Sequence, residues 1–257
     1  MKISIVVPTL NCELFLDESL KSVSWADEII VVDMGSSDRT LEIARKYTKK
    51  IIISDPRSNP AAIGINIRLG ASKAKSEWLY LQASDEIVPQ ELKDEIIKSI
   101  MFNNSVDCYY VPRKNYFLGK ALTQGGLYPD YQLRLFKKKY IRKKFDTYHE
   151  HYCTPGNTSK INYLKNYSIH YMAPFLTNWL KKLRSHADKD AQIQFKKNKF
   201  KFYKILTLPL MYGYYSLITK QGYKDGALGI LYHLTKIYYL LLVQFNMWKI
   251  ILYNKTR

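Results

Sequence analysis

The sequence contains few cysteines and lacks several motifs that would define its chemistry. Its 257 residues include three cysteines, Cys12, Cys108 and Cys153, and no two of them form a C-x-x-C pair. This pattern argues against a disulfide framework and against a structural zinc site, and it favours a reducing compartment. No G-x-G-x-x-G follows the first apolar run, which disfavours a nicotinamide-binding dehydrogenase.

Acidic residues are scarce in the second part of the chain. Residues 1–100 hold 13 Lys and Arg against 15 Asp and Glu, whereas residues 101–257 hold 27 against 7, so the whole excess behind the net charge of +18 lies there. A segment that basic needs an anionic partner, and the candidates are a phosphorylated glycolipid, an anionic bilayer surface or nucleic acid. Because helix-turn-helix, zinc-finger and RNP-like signatures are lacking, we do not expect nucleic acid.

The rest of the composition is that of a folded protein. Hydrophobic residues make up 47% of the chain, which is enough to bury a substantial core. The 22 tyrosines favour surfaces that meet sugars or a membrane interface, because the ring is apolar and its hydroxyl is polar. The apolar run Ile3 to Val7 breaks at Pro8 and is too short for a signal sequence, so we interpret it as a first strand.

Residues 1–100 alternate short β-branched runs with stretches of helical periodicity. This alternation predicts βαβ units, and therefore an α/β domain with a mainly parallel sheet flanked by helices. The predicted strands are Ile3 to Val7, Glu28 to Val32, Ile51 to Ile53 and Trp78 to Leu81. The predicted helices are Phe15 to Val23, Asp38 to Tyr47 with Asp38 as its N-cap, Ala61 to Ala74, and one from Pro89 to about Ile100.

Two further regions complete the predicted organisation. Residues 101–172 mix strand-like runs with Gly- and Pro-containing loops, which is typical of the acceptor side of the same domain, and residues 173–257 form a basic, amphipathic helical region. In that region the basic stretch Lys181 to Lys204 lies beside an aromatic, apolar segment. This combination favours docking on an anionic membrane, with a solvated helix face as the alternative.

The segment Ala227 to Trp248 is long enough to cross a bilayer. Its polar residues His233, Lys236 and Gln244 fall on one helical face. Because a charge near the centre of a span is costly, we expect a helix lying in the membrane interface. A helix buried in the protein core and a spanning helix are the alternatives.

Polar residues follow three of the predicted strands. They are Pro8 to Asn11 after the first, Asp33 to Asp38 after the second, and Gln82 to Glu86 after the fourth. Since the carboxyl ends of parallel strands line one crevice, we expect these residues to form a site for a nucleotide sugar. Asp33 can accept hydrogen bonds from a base or ribose, and Asp85 can hold a divalent cation against a diphosphate. Each such residue is also a common turn residue or N-cap.

Two runs near the N-terminus carry a family resemblance. They read Ile3-Ser-Ile-Val-Val-Pro-Thr-Leu-Asn11 and Asp27-Glu-Ile-Ile-Val-Val-Asp-Met-Gly-Ser-Ser-Asp-Arg-Thr40. Together they closely resemble the opening of the inverting family-two glycosyltransferases, which have the GT-A fold. Stretches at 113–119 and 125–136, with His149-Glu150, resemble the branch that includes lipopolysaccharide core glucosyltransferases. The likeness covers about residues 1–172.

The resemblance implies roles for individual residues. Asp130 or Glu150 would be the general base that takes the acceptor hydroxyl proton. Asp85 would be the metal-binding carboxylate of the D-x-D element, holding Mg²⁺ or Mn²⁺, and His149 would complete the metal shell or orient Glu150. The donor, expected to be a UDP-sugar, would be surrounded by Pro8, Thr9, Asn11, Asp33, Gly35, Ser36, Arg68, Ser84, Asp85 and Arg134, with Arg134 facing the diphosphate.

The chain departs from the family pattern in two places. The first acidic position of D-x-D is Ala83, and the family's A-R-N-x-G reads Asn66-Ile-Arg-Leu-Gly70, so the arginine is displaced to Arg68 or absent. The resemblance implies inverting hexosyl transfer to a lipid-linked or cell-envelope glycan, of the lipopolysaccharide type, by a cytoplasmic enzyme peripheral to the inner membrane face. The departures keep one alternative open, a non-catalytic protein of this fold that binds nucleotide sugars or glycans.

Overall fold

A computed structural model describes residues 2–54, 62–103, 105–142, 153, 155, 159–197 and 200–255. The chain divides into two compact units. Unit 1 comprises Met1–Arg113 and Asp130–His170, and unit 2 comprises Lys114–Pro129 and Tyr171–Arg257. Each unit buries hydrophobic clusters of its own.

The first part of unit 1 alternates strands with helices. The elements are β1 (Ile3–Thr9), α1 (Leu16–Ser22), β2 (Glu28–Asp33), α2 (Thr40–Arg45), β3 (Ile51–Ile53), α3 (Ala62–Lys73), β4 (Trp78–Leu81), β5 (Glu86–Ile87) and α4 (Gln90–Phe102). All predicted strands and helices of this part are present, most with ends moved by one or two residues. Arg39 rather than Asp38 is the N-cap residue of α2, although the Asp38 side chain accepts a hydrogen bond from the Thr40 amide.

Further strands extend the sheet, mostly in antiparallel pairs. They include β6 (Cys108–Phe117), β7 (Lys120–Leu122), β8 (Asp130–Lys137), β9 (Ile161–Tyr163) and β10 (Ser168–Ala173), of which β9 pairs with β6 in parallel. The central strand order is β3-β2-β1-β4-β8-β6, in which β3, β2, β1 and β4 are parallel and β8 is antiparallel to both β4 and β6. The predicted α/β fold of the GT-A type, with a sheet flanked by helices, is confirmed. The antiparallel pairs make the sheet mixed.

Helices cover both faces of the parallel strands. Along β1, Ile5 belongs to the cluster that includes residues of α1 and α4, whereas the neighbouring Val6 belongs to the cluster that includes residues of α3. Helix α3 lies very close to the strands, because a Cβ atom on Gly70 would be 2.5 Å from Val6 and 3.0 Å from Val32. This packing holds α3 tightly against β1 and β2, the strands that carry two of the polar segments.

Unit 2 is built mainly from helices. They are α5 (Leu176–Lys196), α6 (Lys204–Gly213), a π-helical turn (Tyr214–Thr219), a 3₁₀ turn (Gly222–Asp225) and α7 (Gly226–Lys255). One helical segment of the described residues, Gly222–Tyr253, is long and apolar enough to cross a membrane by length and composition.

The polar face of α7 does not face water. His233 and Gln244 are buried, and the Trp179 ring of α5 donates a hydrogen bond to Thr235 of α7 at 2.8 Å. Two of the three side chains that favoured an in-plane helix therefore lie inside the unit, and Lys236 is half-buried. The interfacial placement of α7 stays a prediction. The sequence pattern shows which residues share a face, but not whether that face meets water or protein.

Candidate active site

The carboxylate of Asp33 organises the turn that follows β2. It is fully buried and accepts four hydrogen bonds: from the amides of Gly35 and Ser36 at 2.9 and 2.8 Å, from the Thr9 hydroxyl at 2.9 Å and from the Ser36 hydroxyl at 2.6 Å. Gly35 has a φ of +83°, a conformation that glycine adopts without strain. Since a carboxylate offers about four acceptor sites, Asp33 is saturated by donors from β1 and from its own turn.

The segment after β1 joins this turn to the loop after β4. The Asn11 amide donates to the Ser36 hydroxyl at 2.9 Å, and the Asn11 side chain accepts from the Ser37 amide at 2.8 Å. Burial raises the pKa of the neighbouring Cys12 thiol, and hydrogen bonds to Thr40 and Ser84 oppose that rise. Asn11 and Cys12 therefore lie between the two loops. Pro8, half-buried in β1, is in register with Val32 of β2.

Asp85 lies beside a histidine that the sequence analysis missed. Strand β5 pairs with β10, which places His170 opposite Glu86, and the His170 Nε2 atom is 3.5 Å from the Asp85 Oδ2 atom. The loop before Asp85 is held by Ser19, whose hydroxyl donates to the Ala83 carbonyl at 3.0 Å. Ala83, at the position of the family's first acidic residue, therefore contributes a backbone contact.

The pair of Asp85 and His170 fits a cation that is shared with a diphosphate. The described residues contain no group of three or more His, Cys, Asp or Glu side chains arranged to hold a metal ion. Mg²⁺ is commonly held by one or two carboxylates together with substrate phosphates and water, and imidazole is a usual ligand of divalent transition metals. One carboxylate and one imidazole therefore suit a cation that needs the donor to complete its coordination.

Glu86, the residue after Asp85, belongs to an ion-pair network that includes Asp130, the candidate general base. Its carboxylate is fully buried and pairs with the guanidinium groups of Arg134 and Arg113. Arg113 also donates two hydrogen bonds to one oxygen of Asp130, at 2.9 and 2.6 Å. Asp130 is the first residue of β8, and Arg134 on the same strand contacts Glu86 inside this network.

The remaining predicted residues have different outcomes. His149 and Glu150 lie outside the described residues. Arg68 is exposed on α3, whereas its neighbour Asn66 is fully buried, and neither polar atom of the Asn66 side chain has a hydrogen-bond partner in the part of the chain that the structure describes. A buried amide without partners is costly, which makes Asn66 a candidate ligand contact. The run Asn66-Ile-Arg68 was its only sequence signal.

The carboxyl edge of the parallel strands gathers these groups. Strands β2, β1 and β4 are parallel neighbours, so the turn held by Asp33 and the loop that carries Asp85 flank β1 at one edge of the sheet. A mixed α/β sheet with such an edge, flanked by helices, is of the GT-A type. A family model described as "Glycosyl transferase family 2" matches residues 4–165, which is more than half of the sequence, and the chain belongs to that family.

The chain is similar to curated enzymes of Staphylococcus aureus. It is 34% identical over 103 residues to poly(ribitol-phosphate) beta-N-acetylglucosaminyltransferase TarS of strain Mu50 / ATCC 700699, covering 37% of this chain and 18% of TarS. It is 25% identical over 199 residues to poly(ribitol-phosphate) beta-N-acetylglucosaminyltransferase TarP of strain N315, covering 65% of this chain and 60% of TarP. The chain thus spans less than two thirds of either relative.

Solved structures from two organisms also resemble the chain. S. aureus TarS 1-349 in complex with UDP-GlcNAc is 18% identical, with 94% of this chain and 82% of that chain covered and a TM-score of 0.48. Glucosyl-3-phosphoglycerate synthase from Mycobacterium tuberculosis, in complex with Mn²⁺ and UDP-glucose, is 16% identical, with 72% and 77% covered and a TM-score of 0.47.

Proposed function

We propose that this family-two glycosyltransferase moves a hexosyl residue, with inversion, from a UDP-sugar to an anionic cell-envelope glycan. The observation that carries the proposal is the carboxyl edge of the sheet, where the parallel pairing of β2, β1 and β4 brings the Asp33 turn and the Asp85 loop to the two sides of the segment after β1. The curated relatives act on poly(ribitol phosphate), a phosphate-rich polymer. This supports a cell-envelope acceptor, and the lipopolysaccharide branch remains a prediction.

The donor nucleotide is proposed to bind the turn that Asp33 shapes. Because the Asp33 carboxylate is occupied by Thr9, Gly35 and Ser36, it acts by fixing the backbone that meets the ligand. Pro8 and Asn11 form the neighbouring wall, and Ser84 the opposite one. The buried amide of Asn66 is a further proposed contact, in place of the exposed Arg68.

Asp85 and His170 are the residues proposed to hold Mg²⁺ or Mn²⁺. When bound, such a cation neutralises the charge that develops on a diphosphate leaving group. Arg134, which the resemblance assigns to the diphosphate, is tied to Glu86, the residue next to Asp85.

Asp130 is the general base that we propose among the described residues, with Glu150 as the second candidate. The Arg113 guanidinium donates two hydrogen bonds to one oxygen of Asp130 and so orients this carboxylate. In the reaction the acceptor hydroxyl gives its proton to this carboxylate, and its oxygen bonds to the anomeric carbon. The bond between that carbon and the diphosphate oxygen breaks, and the nucleoside diphosphate leaves.

The acceptor is proposed to be reached at the cytoplasmic face of the cell membrane, either as a lipid-linked glycan or as an envelope polymer. Unit 2 holds 17 Lys and Arg against three Asp and no Glu. A surface of that charge attracts phosphate-bearing acceptors and anionic lipids. We therefore place the enzyme as a peripheral protein of the inner membrane face.

A donor-cleavage assay tests the proposal. Purified protein with Mg²⁺ or Mn²⁺ is expected to release UDP from a UDP-hexose, faster with an anionic glycan acceptor, and Asp85→Ala is expected to abolish the release. Asp94→Ala on α4, which removes a carboxylate that accepts a hydrogen bond from Gln90, is the matched control. Donor binding without turnover on any acceptor would instead establish the non-catalytic alternative.

A further inference from the structure

An exposed apolar face runs along α6 and the π-helical turn of unit 2. Its members recur at intervals of three and four residues and form one stripe. They are Phe202, Tyr203, Leu206, Leu210, Met211, Tyr214, Tyr215 and Ile218, each between 52% and 72% exposed. We call this set the aromatic face. Apolar patches of this kind mark contacts with proteins or with membranes.

The opposite side of the same helix is packed inside the unit, so the exposure is not a sign of a misplaced helix. Pro209 and Ser216 are buried, and the Tyr212 hydroxyl is 3.0 Å from the Nδ1 atom of His233 on α7. Gly213 approaches Ile237 of α7 so closely that an added Cβ atom would lie 3.1 Å from it. The aromatic face is therefore the solvent-exposed side of a helical segment whose other side packs against α7.

Lysines border both ends of the aromatic face. Lys196, Lys197, Lys201 and Lys204 precede or open α6, and Lys220 and Lys224 follow the π-helical turn. All except the half-buried Lys204 are exposed, and the sequence from 191 to 224 contains no Asp or Glu. The tyrosines add rings with polar tips, which suit the headgroup level of a bilayer.

We propose that the aromatic face docks on an anionic bilayer, with its apolar side chains in the acyl boundary and its lysines on the lipid headgroups. Apolar area and positive charge together are what hold an in-plane helix at an anionic interface. A second copy of this chain is a poorer partner, because a symmetric dimer would set the same lysine borders against each other. This inference names the membrane surface of the proposed function, and it uses residues of unit 2 alone.

Vesicle flotation tests the inference with the full chain. The wild-type protein is expected to float with phosphatidylcholine vesicles that contain about 30% phosphatidylglycerol and to bind pure phosphatidylcholine vesicles at least about tenfold more weakly. Leu210→Glu combined with Tyr214→Glu is expected to lower binding to the anionic vesicles by more than about tenfold, because two charges must then enter the acyl boundary. The matched control is Phe102→Glu together with Met101→Glu, two exposed apolar residues at the end of α4 in unit 1.

Two further measurements separate the possible outcomes. The melting temperature and UDP binding establish that the variants are folded. A Tyr214→Trp variant, which needs no destabilising change, reports insertion because brominated lipids quench the fluorescence of a tryptophan that enters the bilayer. Wild-type binding by the double glutamate variant, or no quenching at position 214, would overturn the inference. So would concentration-dependent dimers that the same variant abolishes. A wild-type protein that binds the anionic vesicles but does not release UDP from a UDP-hexose would count against the proposed function. It would leave the inference about the docking surface in place.

Discussion

The Nε2 atom of His170 lies 3.5 Å from the Oδ2 atom of Asp85, although the two residues are far apart in sequence. The short pairing between β5 and β10 makes this contact, since it sets His170 opposite Glu86. The arrangement places an imidazole beside the carboxylate that the family resemblance assigns to the metal. A cation held at this proposed site would have two protein ligands among the described residues, and the donor phosphates would complete its coordination.

Cation binding is therefore expected to depend on the nucleotide. Mn²⁺ is expected to bind the wild-type protein at least about tenfold more tightly with UDP present, and Asp85→Asn or His170→Gln is expected to weaken that binding by about 10- to 100-fold. Electron paramagnetic resonance of free Mn²⁺ measures it directly, without turnover. Asp94→Asn serves as the control, and equal Mn²⁺ affinity with and without UDP would contradict the shared site.

Glu86 is expected to be important for stability as well as for the site. Its buried carboxylate lies between the guanidinium groups of Arg113 and Arg134, so Glu86→Gln leaves two positive charges without their shared partner. Loss of one partner of a buried ion pair costs about 3 kcal/mol. Urea denaturation followed by circular dichroism measures the free energy of unfolding.

The exposed ion pair of Arg39 and Glu42 provides the comparison for that change. Glu42→Gln removes the same charge from a pair in water and is expected to leave the midpoint of unfolding almost unchanged. Equal effects of Glu86→Gln and Glu42→Gln would show that the buried network does not hold the two arginines. Retained stability together with lost donor cleavage would show that Glu86 contributes only to the reaction.

The local pattern of the sequence was sufficient to predict the parallel half of the sheet. β-Branched runs such as Glu28 to Val32 alternate with helical periods, and each became the expected element. The polar turns at Asp33 and Asp85 were also predicted, because parallel strands bring their carboxyl ends to one edge. These features depend on short segments and on one general rule of topology.

Contacts set by long-range pairing could not be predicted in the same way. His170 reaches Asp85 only through β10, and Arg113 reaches Asp130 only through the register of β6 and β8. The inward direction of His233 is a similar case, since periodicity groups residues on a face without saying what covers that face. Asn66 belongs to the altered A-R-N-x-G motif. Only its burial in the structure distinguishes it, as a candidate ligand contact, from the exposed Arg68.

Asn66 is expected to bind the donor at some cost to the stability of the unliganded protein. Asn66→Leu removes a buried amide that lacks hydrogen-bond partners among the described residues, so the melting temperature is expected to stay the same or rise. UDP affinity is expected to fall by about five- to tenfold, since a typical hydrogen bond is worth about 1 kcal/mol and about 1.4 kcal/mol is a factor of ten in affinity. Calorimetry with UDP measures the affinity, and Arg68→Met on the exposed side of α3 is expected to change it less.

The stability of unit 2 is expected to depend on pH through His233. Burial lowers the pKa of this imidazole below its ordinary value of 6.5, and Asp225 opposes that shift only in part. The folded state therefore binds fewer protons than the unfolded state below about pH 6.5, and stability is lost as the pH falls from there toward the lowered pKa. Above pH 6.5 both states hold a neutral ring, so this contribution to stability is fully present and constant.

Thermal unfolding between pH 5.5 and 7.5 measures this dependence, and the transition that includes unit 2 is expected to move to lower temperature on acidification. His233→Gln removes the titrating ring and is expected to flatten the slope, even where it lowers stability at every pH. The ring lies against Gly125 and Gly222, whose added Cβ atoms would come within 2.0 and 2.5 Å of it. An unchanged slope in His233→Gln would assign the acid sensitivity to another group.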